Sequence, residues 1–146
     1  MDQKNAKDFM KQVLELAKSS ESSEVPVAAL IVKDGEIIAR GLNSREQDQD
    51  VFGHAEINAI KAAQAKLKSW NLSACQIYVS LEPCTMCAGA IAQSHINEIY
   101  FGAFDYKLGA CGSKYMVFAK STKIEGGIYE EEAKALLREF FEAKRT

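Results

Sequence analysis

Two stretches of this sequence, His54 to about Lys66 and Cys84 to about Ala92, are rich in alanine and apolar on most sides rather than along one stripe. A helix of that kind has to be covered all round, so both segments are expected to be buried helices packed against a sheet. The material for a sheet lies around them. Val25 to Val32 is apolar and β-branched, Lys33-Asp34-Gly35-Glu36 has the Asp-Gly chemistry of a tight turn, and Ile37 to Leu42 continues as a second strand, which makes a β-hairpin. Gln76 to Ser80 and Glu98 to Phe101 have strand composition, and Lys123-Ile124-Glu125 reads as a further, weak strand. Ala6, Phe9, Met10, Val13, Leu14 and Ala17 recur at helical spacing in a first amphipathic helix that ends near Ser19-Ser20, and Ala133, Leu136, Leu137, Phe140 and Phe141 form the stripe of a last one. A hairpin followed by alternating strands and helices implies a mixed sheet of about five strands with helices on both faces, an α/β fold in the form of a three-layer α/β/α sandwich. At 146 residues the chain fits one domain, spanning 1–146, that can bury its own core.

The same two helices carry the chemistry. Pro83-Cys84-Thr85-Met86-Cys87 stands where a strand signal gives way to a helical one. Proline is tolerated at a helix start, where its missing N–H would be unpaired anyway, so Cys84 and Cys87 fall in the first turn on a shared face. The positive end of the helix favours thiolate over thiol, the state a metal needs. Alone, Cys-x-x-Cys also fits a redox dithiol or two small buried thiols. His54-Ala55-Glu56, alone, also fits a core histidine beside an exposed glutamate. Residues i and i+2 lie on roughly opposite sides of a helix, so His54 and Glu56 address one site only if His54 sits at the helix end with non-helical angles.

Taken together, His54, Cys84 and Cys87 are three ligands of the type zinc prefers, and they leave a fourth tetrahedral position for water, as in a catalytic site with one zinc per chain. Cys75, in a strand, and Cys111, in a Gly-rich loop, read as small buried residues. Gly89, inside the second buried helix, is expected to mark close approach of another backbone. A metal lowers the pKa of its water, and Glu56 is the carboxylate that can carry that proton to a ring nitrogen and to a departing amine. The set fits hydrolytic removal of an amino group from a ring carbon.

His-x-Glu with Pro-Cys-x-x-Cys resembles the signature of the zinc nucleobase deaminases. Two further stretches, Glu24 to Ala29 and Leu81 to Ala90, resemble the bacterial tRNA-specific adenosine deaminases of the cytidine/deoxycytidylate deaminase superfamily, as does the more discriminating Phe101 to Ser113. The similarity runs from about Phe9 to Phe141. It implies a cytidine deaminase-like fold, a homodimer, and conversion of the wobble adenosine of a tRNA anticodon loop to inosine with Glu56 as proton shuttle. It also implies that Asn43 hydrogen-bonds the target base and that Asp105 shapes the entrance for the flanking nucleotide. Lys107, Lys144 and Arg145 are expected around that entrance.

The sequence departs from the family pattern at Ala28, where Gly is usual, at Val51-Phe52-Gly53, where Pro-Thr-Ala is usual, in a shorter loop from Ser113 to Lys123, and in a tail with fewer basic residues. These positions bear on recognition rather than on the chemistry. A formal net charge of -2 gives no global signal for nucleic acid. A deaminase of a free base or nucleotide (guanine, cytosine or dCMP) therefore stays open as an alternative. A non-catalytic deaminase-like RNA-binding subunit ranks lower, because such a subunit is expected to lose the glutamate. No apolar stretch suggests a signal peptide or membrane span, and the thiol usage suits a reducing compartment, so a cytoplasmic protein without membrane contact is expected.

Overall fold

The computed structural model describes residues 3–145, with side chains from Asn5 to Lys144. Helix α1 (Gln3–Lys18) leads through a short connection to β1 (Ala28–Lys33) and β2 (Glu36–Leu42). The turn between these strands places both Asp34 (φ 53°) and Gly35 (φ 77°) in the left-handed region, the geometry that matches the twist of a two-residue hairpin. A one-turn helix α2 (Arg45–Asp48) precedes α3 (Ala55–Leu67), followed by β3 (Cys75–Leu81), α4 (Thr85–Gln93), β4 (Glu98–Ala103), β5 (Lys123–Glu125) and α5 (Glu130–Arg145).

The five strands form one mixed sheet in the order β2-β1-β3-β4-β5. β1 runs antiparallel to both β2 and β3, whereas β3, β4 and β5 are mutually parallel. Alternation along the strands divides the core into two layers. Ala28, Leu30, Val32, Tyr78 and Tyr100 face Ala6, Met10, Val13 and Ala17 of α1. Ala29, Ile31, Ile77, Val79, Ile99 and Phe101 face α3 and α4 through Ala55, Ala59, Ala63, Ala88 and Ile91. Helix α5 joins the α1 side, where Ala133 packs with Leu14 and Ala103. The sandwich expected from the sequence is therefore the fold observed.

Alanine in α3 is explained by how near it lies to the sheet. A Cβ at Gly41 of β2 would sit 2.2 Å from the Ala55 carbonyl oxygen and 2.5 Å from the Ala59 nitrogen, so strand and helix backbones are almost in contact there. Two local expectations are corrected, and one element, α2, was not foreseen. The first strand begins at Ala28 rather than Val25, because Pro26 offers no N–H to a ladder and the chain bends around it, with Val27 N–H donating to the Val25 carbonyl at 2.9 Å. Gly89 meets no other backbone: a Cβ built there has nothing within 4 Å, since the sheet-facing side of α4 is carried by Cys87, Ala88 and Ile91. Helix α2 has no apolar periodicity to announce it, and none of its residues is buried.

Candidate active site and metal centre

Helices α3 and α4 begin at the same place; each is buried on its sheet-facing side and not all round as expected, with Lys61, Ala62, Ala65 and Lys66 of α3 and Ala92 and Gln93 of α4 exposed. His54 is the N-cap of α3, with φ −90° and ψ 150°, an extended conformation that turns its imidazole out of the helical path. That meets the demand that His54 and Glu56 serve one site from one helix end. Cys84 is the N-cap of α4, also extended, so the helix proper starts at Thr85, one residue later than the proline suggests, and Cys87 lies in its first turn. Two helix N-termini, each with N–H groups that lack an intrahelical partner and a positive dipole end, thus converge on the two sulfurs.

His54 Nδ1 lies 3.4 Å from Cys87 Sγ and 3.7 Å from Cys84 Sγ. Metal–ligand bonds of about 2.3 Å to sulfur and roughly 2.0–2.1 Å to nitrogen, at a tetrahedral angle, put S and N about 3.6 Å apart. The spacing therefore fits zinc. Among the described residues, these three form the one group of potential ligands whose atoms all lie within 4.8 Å of one another, and no fourth His, Cys or carboxylate joins it. Cys75 and Cys111 are buried elsewhere as free thiols.

The electrostatics of the cluster without a cation express what it lacks. Cys84 is held down at about 4, chiefly because the Cys87 thiol hydrogen-bonds to it. Cys87 is pushed far up by the same contact and by burial, so the pair shares one proton. His54 is raised, first by its hydrogen bond with Cys84. Glu56 is only 4 % exposed, and burial pushes its carboxyl from 4.5 up to about 7. A divalent cation is the charge that would let both sulfurs ionise together.

The cluster opens into a cavity of about 740 Å³, a size typical of small-molecule sites. His54, Glu56 and Cys84 line its base, and Asn43, Asp105 and Lys144 line its walls, while Cys87 is fully buried behind them. The Asn43 carboxamide is fixed from both ends: Nδ2 donates to the Val25 carbonyl at 3.2 Å and Oδ1 accepts from Arg45 N–H at 3.2 Å. Asp105 Oδ1 accepts from Lys107 and Leu108 N–H, both at 3.1 Å. Lys107 itself is exposed and not part of the lining, and the Arg145 side chain lies outside the described residues. Val51 and Phe52 are exposed and likewise stay off the lining.

Several lining residues were not singled out from the sequence. Phe140 and Phe141, read there as part of a core stripe, stand in the cavity wall instead, with Phe141 49 % exposed. Arg45 and Leu108 also line it. Two buried carboxylates flank the cavity as well. Glu24 accepts from Glu46 and Gln47 N–H at 3.1 and 2.7 Å, capping α2 where Ser44 makes no side-chain cap. Glu82 accepts from Asp105, Cys111 and Ser113. No local pattern announces either, since their partners lie 22 to 31 residues away.

Residues 3–103, which include His54, Glu56, Cys84 and Cys87, match the family model of the cytidine and deoxycytidylate deaminase zinc-binding region. The tRNA-specific adenosine deaminase of Bacillus subtilis is 40% identical over 143 residues, covering 94% of this chain and 89% of that one. A solved structure from a study of A-to-I editing by tRNA:A34 deaminases at the wobble position superposes with a TM-score of 0.81 at 38% identity, covering 89% of this chain and 99% of the other. A guanine deaminase from Nitrosomonas europaea gives a TM-score of 0.80 at 29% identity, over 92% and 83% of the two chains. With the donor set spaced for zinc and the match running through it, the chain belongs to the cytidine and deoxycytidylate deaminase family of zinc-binding enzymes.

Proposed function

We propose that this enzyme hydrolyses the wobble adenosine of a tRNA anticodon loop to inosine, with His54, Cys84 and Cys87 holding one zinc ion and Glu56 moving the protons. The observation that carries the chemistry is the buried Glu56 beside the three-ligand cluster at the base of an open cavity. The adenosine substrate is supported by the likeness, along 94% of the chain, to a tRNA-specific adenosine deaminase.

Zinc bound by such a set supplies the Lewis acid that makes water a nucleophile near neutral pH. The remaining work falls to the protein. The reaction forms a C6–O bond and breaks the C6–N bond: water is consumed and ammonia leaves. Glu56 accepts one proton from the attacking water and delivers it to ring N1, then takes the second from the new C6 hydroxyl and hands it to the amine, which departs as ammonia. In the metal-free site burial already raises this carboxyl to about 7, which shows that Glu56 stands in a desolvated position where a carboxyl can hold a proton as well as release it. Asn43, its amide held between the Val25 carbonyl and Arg45 N–H, presents a fixed polar edge to the base. Phe140 and Phe141 offer flat apolar faces to neighbouring bases, and Lys144, 5.4 Å above the Phe140 ring centroid, offers charge to the backbone.

A base must leave the stack to reach Glu56, and that costs least in a loop. The test compares one adenosine placed in a hairpin loop with the same adenosine fully paired. Faster inosine formation in the loop supports the reading, and equal rates contradict it. A guanine deaminase is the second reading, favoured by the TM-score of 0.80 to that enzyme and by the net charge of -2. The catalytic reading is preferred over a non-catalytic subunit because Glu56 is present and adjoins the cluster.

The same reading makes the active unit a homodimer, supported by the consecutive exposed residues Tyr115, Met116 and Val117, which a second copy could cover. Among the described residues no helix is long and apolar enough to cross a membrane; a cytoplasmic location is supported by the likeness to a bacterial tRNA-specific adenosine deaminase.

A further inference from the structure

We infer that Glu82 is a positioning residue: it clamps the Asp105–Ser113 wall of the cavity to the turn that carries Cys84, and so sets how the nucleotide beside the target base is received. The second half of this assignment rests on the reading of the substrate given above.

Glu82 is 2 % exposed, between the end of β3 and Pro83. Its Oε1 accepts from Asp105 N–H at 3.0 Å and from the Ser113 hydroxyl, and its Oε2 accepts from Cys111 N–H at 3.0 Å and Ser113 N–H at 3.1 Å. A carboxylate has about four lone-pair sites, and all are used by one loop. Glu82 therefore has nothing left to offer substrate or metal, although it borders the cavity. Its anion occupies a nest of donors that would otherwise face each other unpaired.

The loop has no strand or helix of its own between Ala103 and Lys123, so its shape has to come from elsewhere. Glu82 is the centre of that shape. Around it, Ala110 N–H donates to the Pro83 carbonyl at 2.8 Å, and Gly109 bridges to Cys84. A Cβ at Gly109 would lie 2.4 Å from the Glu82 carboxyl carbon and 2.4 Å from the Asp105 carbonyl, so the loop is drawn in as tightly as glycine permits. Asp105 in turn caps the N–H groups of Lys107 and Leu108. Glu82 thereby acts through Asp105 and Leu108, which line the cavity, rather than on the substrate. An apolar side chain would fill the same space at lower desolvation cost but would leave the loop unfastened.

The test is amide hydrogen exchange on zinc-loaded Glu82→Gln, with zinc content and steady-state kinetics on the RNA hairpin. An amide keeps one acceptor oxygen and turns donors toward two of the N–H or O–H groups. Exchange at Asp105, Cys111 and Ser113 should rise about tenfold or more, the loss expected for a buried bond to a charged acceptor. β3 and β4 should be unchanged, zinc should stay at one per chain, and KM should rise more than kcat falls. Ser113→Ala removes one donor and keeps the charge, so it should loosen the same segment less and guard against a general folding defect. The assignment is overturned if loop exchange is unaltered in both variants, if protection is lost equally across β3 and β4, if zinc is lost, or if kcat falls with KM unchanged. Exchange needs no substrate, so a wild-type enzyme inert on RNA would defeat the functional reading while these protection factors still decide the role of Glu82; KM would then be read on guanine, cytosine or dCMP, whichever is turned over.

Discussion

At the scale of single residues, the proposed function divides the site into groups that bind and one that moves protons, and substitutions should separate them. Cys87 is fully buried, so Cys87→Ala removes a ligand and leaves His54 and Cys84 facing each other across an incomplete set. That variant should lose zinc and much of the local order, measured as metal content after dialysis. Glu56→Ala should keep both zinc and fold while kcat falls by on the order of 10²–10⁴ or more, because one group serves several transfers. Near-normal turnover with zinc in place would take Glu56 out of the mechanism. Its burial has a second consequence in the metal-free protein. The folded carboxyl keeps its proton between 4.5 and about 7, where the unfolded chain has already released it. Glu56 therefore costs nothing below about pH 4.5, and stability falls as pH rises towards 7, by at most about 3 kcal/mol. Urea unfolding with chelator should find Glu56→Gln more stable than wild type above pH 7 and equal to it below pH 4.5; equal stability throughout would mean that the carboxyl is not desolvated.

At the scale of elements, two contacts decide whether the residues arrive together. Gly41→Ala would drive a Cβ into the backbone of Ala55 and Ala59, atoms that cannot swing aside. We expect a loss of about 1–3 kcal/mol or more and weaker zinc binding, since the displaced helix carries His54 and Glu56. Wild-type stability with full zinc affinity would show that α3 does not depend on this close approach. In α5, Lys144→Ala with Arg145→Ala should weaken RNA binding and reduce the salt slope of log K by about two, with zinc unaffected. Much at this scale was legible beforehand. Alternation in β1, the Asp34-Gly35 turn and the apolar, alanine-rich α3 and α4 are local patterns, and the geometric demand on His54 followed from helical periodicity alone. The bend at Pro26 and the open side of Gly89 were misread because a propensity does not say which neighbour a residue meets. Glu24 and Glu82 stand in stretches that carry the family resemblance, but their buried role was hidden for a different reason. Their partners are distant in sequence, and a lone acidic residue beside a strand looks the same whether it is solvated or enclosed by donors.

At the scale of the molecule, five strands serve to bring two helix N-termini to one point, with loops from β2 and β4 and the end of α5 raised around it. At the reactive end Glu56 and Cys87 are buried, whereas Leu108, Phe141 and Lys144, also on the cavity lining, are exposed. That division suits a substrate of which one base is converted while the rest stays outside. It also makes substrate choice the claim most open to test. The direct measurement is ammonia release by the zinc-loaded enzyme from a wobble-adenosine anticodon hairpin, guanine, cytosine and dCMP in parallel, with inosine assayed in the RNA. The account predicts stoichiometric ammonia and inosine from the hairpin, at a kcat/KM well above that for any small substrate. Efficient turnover of guanine or cytosine with no inosine in the hairpin would contradict it.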